Sequence, residues 1–262
     1  MPRRQVLMSC VQYDGEIKGG AKSVLDMPEV ASSLGLHGVE YREVYWHDRS
    51  AELPALAEKM RAAGLRTTFA TFRTLFNADE AVRAGLRQDL EDASALGSTI
   101  LRVFRGVWPP EDEAGEVMWA AARALIKRAG ELRVTLAIEN FANTPGNKIA
   151  DVVGIVGQLN PSIVGTNIDV SNYVINDEDP VAAIRALSSR VRYVHLTDVA
   201  FGDDGKRTVT YLGAGKLPYG QILAELEATG QDFPLCFEFG GAGKPEQAIK
   251  ESLAYLASLG AR

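Results

Sequence analysis

Four acid or imidazole side chains stand at the carboxyl ends of four apolar runs, one per run. They are Glu139 in TLAIEN, Asp169 in VGTNIDV, His195 in VRYVHLTD and Glu238 in PLCFEFGG. Each run reads as a buried strand that ends in a charged or metal-binding group where the apolar pattern would place another Val or Leu. An ionised group at the end of a buried strand is costly unless something pairs with it. Three carboxylates and one imidazole share a natural partner, a divalent cation. The set is hard and oxygen-rich, which suits Mn²⁺ first, with Mg²⁺, Co²⁺ or Zn²⁺ as alternatives. A structural zinc site would draw on thiolates instead. The expectation is one divalent ion per chain, held by Glu139, Asp169, His195 and Glu238.

These residues need a scaffold that brings strand ends together. Eight short β-rich runs occur at 6–10, 38–45, 66–72, 99–104, 135–141, 164–170, 191–198 and 234–240. Helix-like stretches with apolar spacings of three and four lie between them, clearest at 54–64, 81–97, 117–132 and 219–230, with 245–260 closing the chain. Glycines 35, 64, 97 and 230 fall where helices stop. Strict alternation of strand and helix is the pattern of a parallel sheet with crossover helices. Eight units predict a closed (β/α)8 TIM barrel, an α/β fold, formed as a single domain over 1–262. No G-x-G-x-x-G follows the first strand, which weakens a dinucleotide-binding reading. Strand side chains alternate, so Ala137, Asn167, Tyr193 and Cys236 should point inward with the four candidates.

At 262 residues and 46% hydrophobic, the chain has ample material for one large core. A net charge of −6 argues against nucleic acid, which needs a basic face. No run approaches the roughly 18 apolar residues of a membrane span. Arg3–Arg4 could open a twin-arginine signal, but only VLMSCV follows before polar residues resume. Cys10 and Cys236 lie in apolar strands and read as buried thiols of a cytoplasmic protein, with no disulfide expected.

The motifs I-E-N (138–140), N-I-D (167–169), H-L-T-D (195–198), L-G-A-G-K-L (212–217) and F-E-F (237–239) resemble the xylose isomerase-like barrel superfamily of sugar isomerases and epimerases. The likeness spans essentially the whole chain. It implies that the matching Glu, Asp, His and Glu bind one divalent metal, and that in ketose 3-epimerases the two glutamates also act as acid and base. Departures exist. Asn172 stands where many relatives carry a histidine three residues after the strand-six aspartate, and is kept as a substrate-facing candidate. Phe141 and Asn143 occupy a stretch where relatives carry another histidine. With only His37, His47 and His195, the trinuclear zinc site of the endonuclease branch cannot be built, which argues against DNA repair.

The chemistry implied is isomerisation or epimerisation of a small sugar or polyhydroxy carbonyl compound. Two substrate oxygens would meet the metal, and Glu139 and Glu238, facing each other across it, would take and return a proton through an enediolate. Loss of a β-hydroxyl would instead give a dehydratase or lyase, and a non-catalytic barrel subunit with a structural metal is the contrasting reading. A homo-oligomer is compatible with the sequence. Asp198 is either a group that orients a ligand or binds substrate, or a loop cap. Arg207 either binds substrate or is a solvated loop charge; the glycines of 201–218 would let that loop close and deliver it. Glu40 and Arg102 are expected to form an ion pair lining the pocket, with direct substrate contact as the other option. Trp46 and Trp108 read either as a pocket wall or as core or subunit contacts, and His37 and His47 as surface residues.

Overall fold

The structure is a computed structural model that describes residues 4–142, 144–240 and 244–260, so Arg3 and Asn143 lie outside the described residues. Eight parallel strands close a barrel: β1 (Val6–Ser9), β2 (Gly38–Arg42), β3 (Arg66–Phe76), β4 (Ile100–Gly106), β5 (Thr135–Glu139), β6 (Val164–Asp169), β7 (Val191–Leu196) and, last in the chain, β10 (Leu235–Phe237). Strands β8 (Asp198–Phe201) and β9 (Arg207–Thr210) form an antiparallel hairpin outside the ring. The helices are α1 (Asp14–Lys18), α2 (Met27–Ser33), α3 (Arg49–Ala63), α4 (Glu80–Ala95), α5 (Glu113–Leu132), α6 (Ile149–Gln158), α7 (Val170–Ile175), α8 (Pro180–Ala186), α9 (Tyr219–Ala228) and α10 (Pro245–Ser258). The expected (β/α)8 barrel is therefore present. No helix of the described residues is long and apolar enough to cross a membrane.

Alternation along the strands divides the core in two. Outward-facing Val39, Tyr41, Phe69, Leu101, Val103, Leu136 and Ile138 pack against the helices. Inward-facing Leu7, Ile100, Ala137, Tyr193 and Cys236 form a separate buried cluster inside the ring. This apolar plug fills the lower barrel, with the Tyr193 hydroxyl paired to Thr68 Oγ1 at 2.9 Å. Two residues further along each strand the interior turns polar, which sets the height of the site. Cys10 and Cys236 are free and buried.

Several boundaries differ from the sequence reading. Helix α3 begins five residues before Pro54, because Asp48 accepts from the N–H groups of Ser50 and Ala51 and caps the start. Strand β3 runs four residues past its expected end, through a register shift between Ala70 and Thr74. The seventh run breaks after Leu196, and Asp198 starts the hairpin, so Phe201 and residues 207–210 of the 201–218 stretch are strand rather than loop.

Asp198 explains the L-G-A-G-K-L motif. Its carboxylate, 1% exposed, accepts from the backbone N–H groups of Val199, Gly213, Gly215 and Leu217 at 2.8–3.2 Å. The turn wraps so tightly that a Cβ on Gly215 would lie 2.1 Å from Asp198 Oδ1. Gly215→Ala should therefore destabilise the chain by about 1–3 kcal/mol, read as a lower urea midpoint. An unchanged midpoint would show that the wrap carries no stability.

Candidate metal centre

The ligand atoms of Glu139, Asp169, His195 and Glu238 all lie within 4.8 Å of one another. Glu139 and Asp169 end β5 and β6, His195 lies one residue before the end of β7, and Glu238 follows β10 directly. Register does the assembly: Asp169 pairs with His195, and His195 with Cys236, placing Glu238 one inward step above. Glu139 and Glu238 are three strand positions apart around the ring, with β6 and β7 between them, rather than diametrically opposed.

The imidazole is oriented from behind. His195 Nε2 lies 2.8 Å from Glu40 Oε2, and both side chains are fully buried. Nδ1 faces the cluster, 3.1 Å from Glu139 Oε2 and in contact with Glu238. A carboxylate on one ring nitrogen fixes the tautomer and presents the other nitrogen as a ligand. Glu40 was expected at the substrate or paired with Arg102. Its carboxylate meets His195 Nε2 and Arg42 rather than Arg102, a place from which it would orient the imidazole.

The arginines pair differently from that expectation. Arg102 Nε lies 3.0 Å from Glu139 Oε2, and its Nη1 donates to the Thr71 carbonyl at 2.7 Å. Arg42, which the sequence reading passed over, contacts Glu238 and lies 3.4 Å from Glu40. It sits two residues after Glu40 on the same inward face, and that spacing was the available signal. Four carboxylates and two guanidiniums thus leave two negative charges in excess around a neutral imidazole. A divalent cation balances them, so the donor set fits such an ion.

Asp169 is arranged to leave one oxygen open. Its Oδ1 accepts from Ser171 Oγ at 2.9 Å, the Asn172 N–H at 2.9 Å and Thr197 Oγ1 at 3.3 Å. Among the described residues Oδ2 has no hydrogen-bond partner. Asn172 borders the cluster, its Nδ2 donating to Glu139 Oε1 at 3.4 Å. Asn167, inward as expected, donates to Glu139 Oε2 at 2.8 Å.

Other candidates are placed elsewhere. Asp198 takes the loop-cap option, since four backbone N–H groups occupy its carboxylate. Arg207 lies on the hairpin and ties it to the end of α7, through Asp177 at 2.6 Å and the Val174 carbonyl at 2.6 Å. Trp46 stacks on Phe69 in the outer core, and Trp108 packs with Phe76 and Trp119. His47 is exposed, but His37 is half-buried and its Nδ1 accepts from the Val6 N–H at 3.1 Å. An aromatic wall borders the site that the sequence reading missed: the Arg102 guanidinium lies 4.5 Å over Phe104, which stacks on Phe141 at 4.8 Å.

Without a bound cation the cluster would hold a proton. Burial disfavours the imidazolium, but the Glu40 and Glu139 carboxylates outweigh it and raise His195 to about 9. Burial and the charge of Glu139 raise Asp169 to about 6, against the pull of His195 and its own hydrogen bonds. For Glu139 burial is overruled by Arg102 and His195, which hold it at about 2. A cation taking Nδ1 must displace that proton. Binding at pH 7.5 should release about one proton per ion, measured calorimetrically in buffers of different ionisation enthalpy. Affinity should fall as pH drops below about 9 and more steeply below about 6. Proton release near zero would remove His195 from the ligand set. Glu40→Gln should weaken metal affinity about 10–100-fold with the barrel intact; an unchanged affinity would deny Glu40 its orienting role.

Among curated proteins, none matches the chain. Solved structures do match in fold. A xylose isomerase domain protein from Planctomyces limnophilus superposes with a TM-score of 0.77 at 18% identity, covering 98% of this chain and 96% of that one. A D-allulose 3-epimerase from Methylomonas sp., in complex with D-allulose, gives 0.76 at 14%, covering 98% of each chain. A probable 3-DHS dehydratase from Bacillus anthracis gives 0.77 at 14%, covering 97% and 99%. The family described as xylose isomerase-like TIM barrel matches residues 28–259. With that match over most of its length, the chain belongs to the xylose isomerase-like TIM barrel family.

Proposed function

We propose that the chain is a divalent-metal-dependent isomerase or epimerase of a small sugar or polyhydroxy carbonyl compound. The observation that supports this most is the placement of two glutamates, Glu139 and Glu238, against the same His195 nitrogen, each backed by its own buried arginine. A purely structural metal would need no such pair. Glu139, Asp169, His195 and Glu238 would hold the ion. When bound, it supplies a Lewis acid that lowers the pKa of the carbon beside a substrate carbonyl.

The chain's own groups handle the proton. Arg102 keeps Glu139 ionised and engages Oε2, leaving Oε1 with only the long contact to Asn172. Oε1 is the atom that receives or returns a proton. Glu238, with 11% of its side chain exposed, is the most accessible of the four and serves as the partner acid or base. Return of the proton to the opposite face of the same carbon gives epimerisation, and return to the neighbouring carbon gives isomerisation. Phe104 and Phe141 shield one side of the site from water.

A second reading, dehydration of a related keto compound, draws support from the dehydratase that matches this barrel as well as the epimerase does. Incubation of the metal-loaded chain with ketoses and keto acids in D₂O separates the two. Deuterium beside the carbonyl with changed configuration or a shifted carbonyl supports the isomerase or epimerase. Loss of a hydroxyl supports the dehydratase. A metal-loaded chain that exchanges no carbon-bound hydrogen in any of them would favour the non-catalytic barrel. On the responsive substrate, Glu139→Gln or Glu238→Gln should each cut turnover by about 10²–10⁴-fold. Near-normal turnover in either variant would reject the two-glutamate mechanism.

A further inference from the structure

Strand β3 bulges beside the candidate centre. Ala70 pairs with Arg102 and Thr74 with Phe104, so β3 advances four residues while β4 advances two. The surplus lies at Thr71, Phe72 and Arg73, where ladder pairing is interrupted. Three backbone groups of this stretch take side-chain partners instead. The Thr71 carbonyl accepts from Arg102 Nη1 at 2.7 Å. The Phe72 N–H donates to Glu43 Oε1 at 2.7 Å, and the Arg73 N–H donates to Thr71 Oγ1 at 3.0 Å.

An acid from outside the ring of strands fastens this bulge. Asp89, on α4, is 3% exposed. Its Oδ2 accepts from the Thr71 hydroxyl at 2.7 Å, and Arg73 Nη1 lies 2.8 Å from Oδ1 and 2.7 Å from Oδ2. Thr71 Oγ1 therefore gives its proton to Asp89 and accepts that of the Arg73 N–H, which pins the bulge at both ends. The close approach of α4 needs Gly85, because a Cβ there would lie 2.1 Å from Arg73 Nε. We propose that Asp89 is a positioning residue for the candidate centre: through Thr71 it holds Arg102 against Glu139.

The contacts run without a break. They pass from the Asp89 carboxylate to the Thr71 hydroxyl, from the Thr71 carbonyl to Arg102, and from Arg102 Nε to Glu139 Oε2 at 3.0 Å. The same bulge places Phe72, whose ring centre lies 5.5 Å from Arg42 Cζ and 5.8 Å from Arg102 Cζ. Burial raises Asp89 to about 6 although Thr71 and Arg73 oppose the shift, and Glu43 adds to it. The chain thus keeps an acid where an apolar residue would pack without desolvation cost. What the acid supplies is a fixed acceptor for Thr71, and so a fixed carbonyl for Arg102. On the reading of Glu139 as acid or base, the guanidinium that keeps it ionised is aligned from outside the barrel.

NMR of the intact chain tests this through rotation about the Arg102 Nε–Cζ bond, which the Nη1 hydrogen bond to Thr71 slows. Asp89→Asn and Thr71→Val should each speed that rotation about tenfold, while Thr71→Ser, which keeps the hydroxyl, should stay within about twofold of the parent. Asp92→Asn is the control. Asp92 is likewise buried on α4, but it pairs with Arg49, 2.6 Å from its Nε, and should leave Arg102 unchanged. The proposal is overturned if Arg102 turns at the parent rate in Asp89→Asn or in Thr71→Val, or if Thr71→Ser or Asp92→Asn speeds it as much. Turnover separates this role from the proposed reaction. On a substrate found by the D₂O incubations, Asp89→Asn should lower kcat about tenfold with KM unchanged. A loosened Arg102 with normal kcat would count against Glu139 as the proton-handling group and leave the positioning role standing.

Discussion

The arrangement of the barrel's upper interior follows from two negative charges buried in excess. Glu40, Glu139, Asp169 and Glu238 meet only Arg42 and Arg102 as fixed cations. In a low-dielectric interior such an imbalance is far costlier than at a surface. A protonated His195 between Glu40 and Glu139 would relieve part of it. A divalent ion, on the proposed reading, would relieve all of it and leave the imidazole neutral. Details that look independent then share one cause. Glu40 holds Nε2 so that Nδ1 faces the carboxylates, and three donors crowd Asp169 Oδ1 so that Oδ2 stays open.

The barrel can carry this polar layer because another layer carries stability. The apolar plug of Leu7, Ile100, Ala137, Tyr193 and Cys236 closes the ring from below, and the helices cover it from outside. The period-two alternation that points Ala137, Tyr193 and Cys236 into the plug also lifts Glu139, His195 and Glu238 into the polar layer. One more inward step along the chain from His195 would be Thr197, and there the chain leaves the ring. Asp198 then gathers four backbone N–H groups and fixes the 212–217 turn beside the site.

Much of this was legible in the sequence, for a physical reason. A carboxylate or imidazole at the end of an apolar run breaks a pattern, and four such breaks at strand ends can be read without coordinates. Strand alternation also told which neighbours share their face. Pairings around the ring were not legible. Glu40, Arg42 and Arg102 were all on inward positions, but which carboxylate each guanidinium meets depends on strand stagger and side-chain reach. Asp198 was ambiguous for a related reason, since its partners are backbone N–H groups up to nineteen residues away that carry no side-chain signature. The hairpin was hidden by its glycines, although the alternating Arg-Thr-Val-Thr at 207–210 carried a strand signal. Arg207 pairs with Asp177 and the Val174 carbonyl, contacts that residue type and spacing do not encode.

The same charge arithmetic bears on what kind of molecule the barrel end can hold. On the proposed reading a divalent ion would bring the buried groups to neutrality and leave the centre no surplus positive charge for an anionic substituent. It would then suit uncharged oxygens, such as a carbonyl and the hydroxyl beside it. An anion brought against Glu139 or Glu238 would instead raise their proton affinity and compete for the cation.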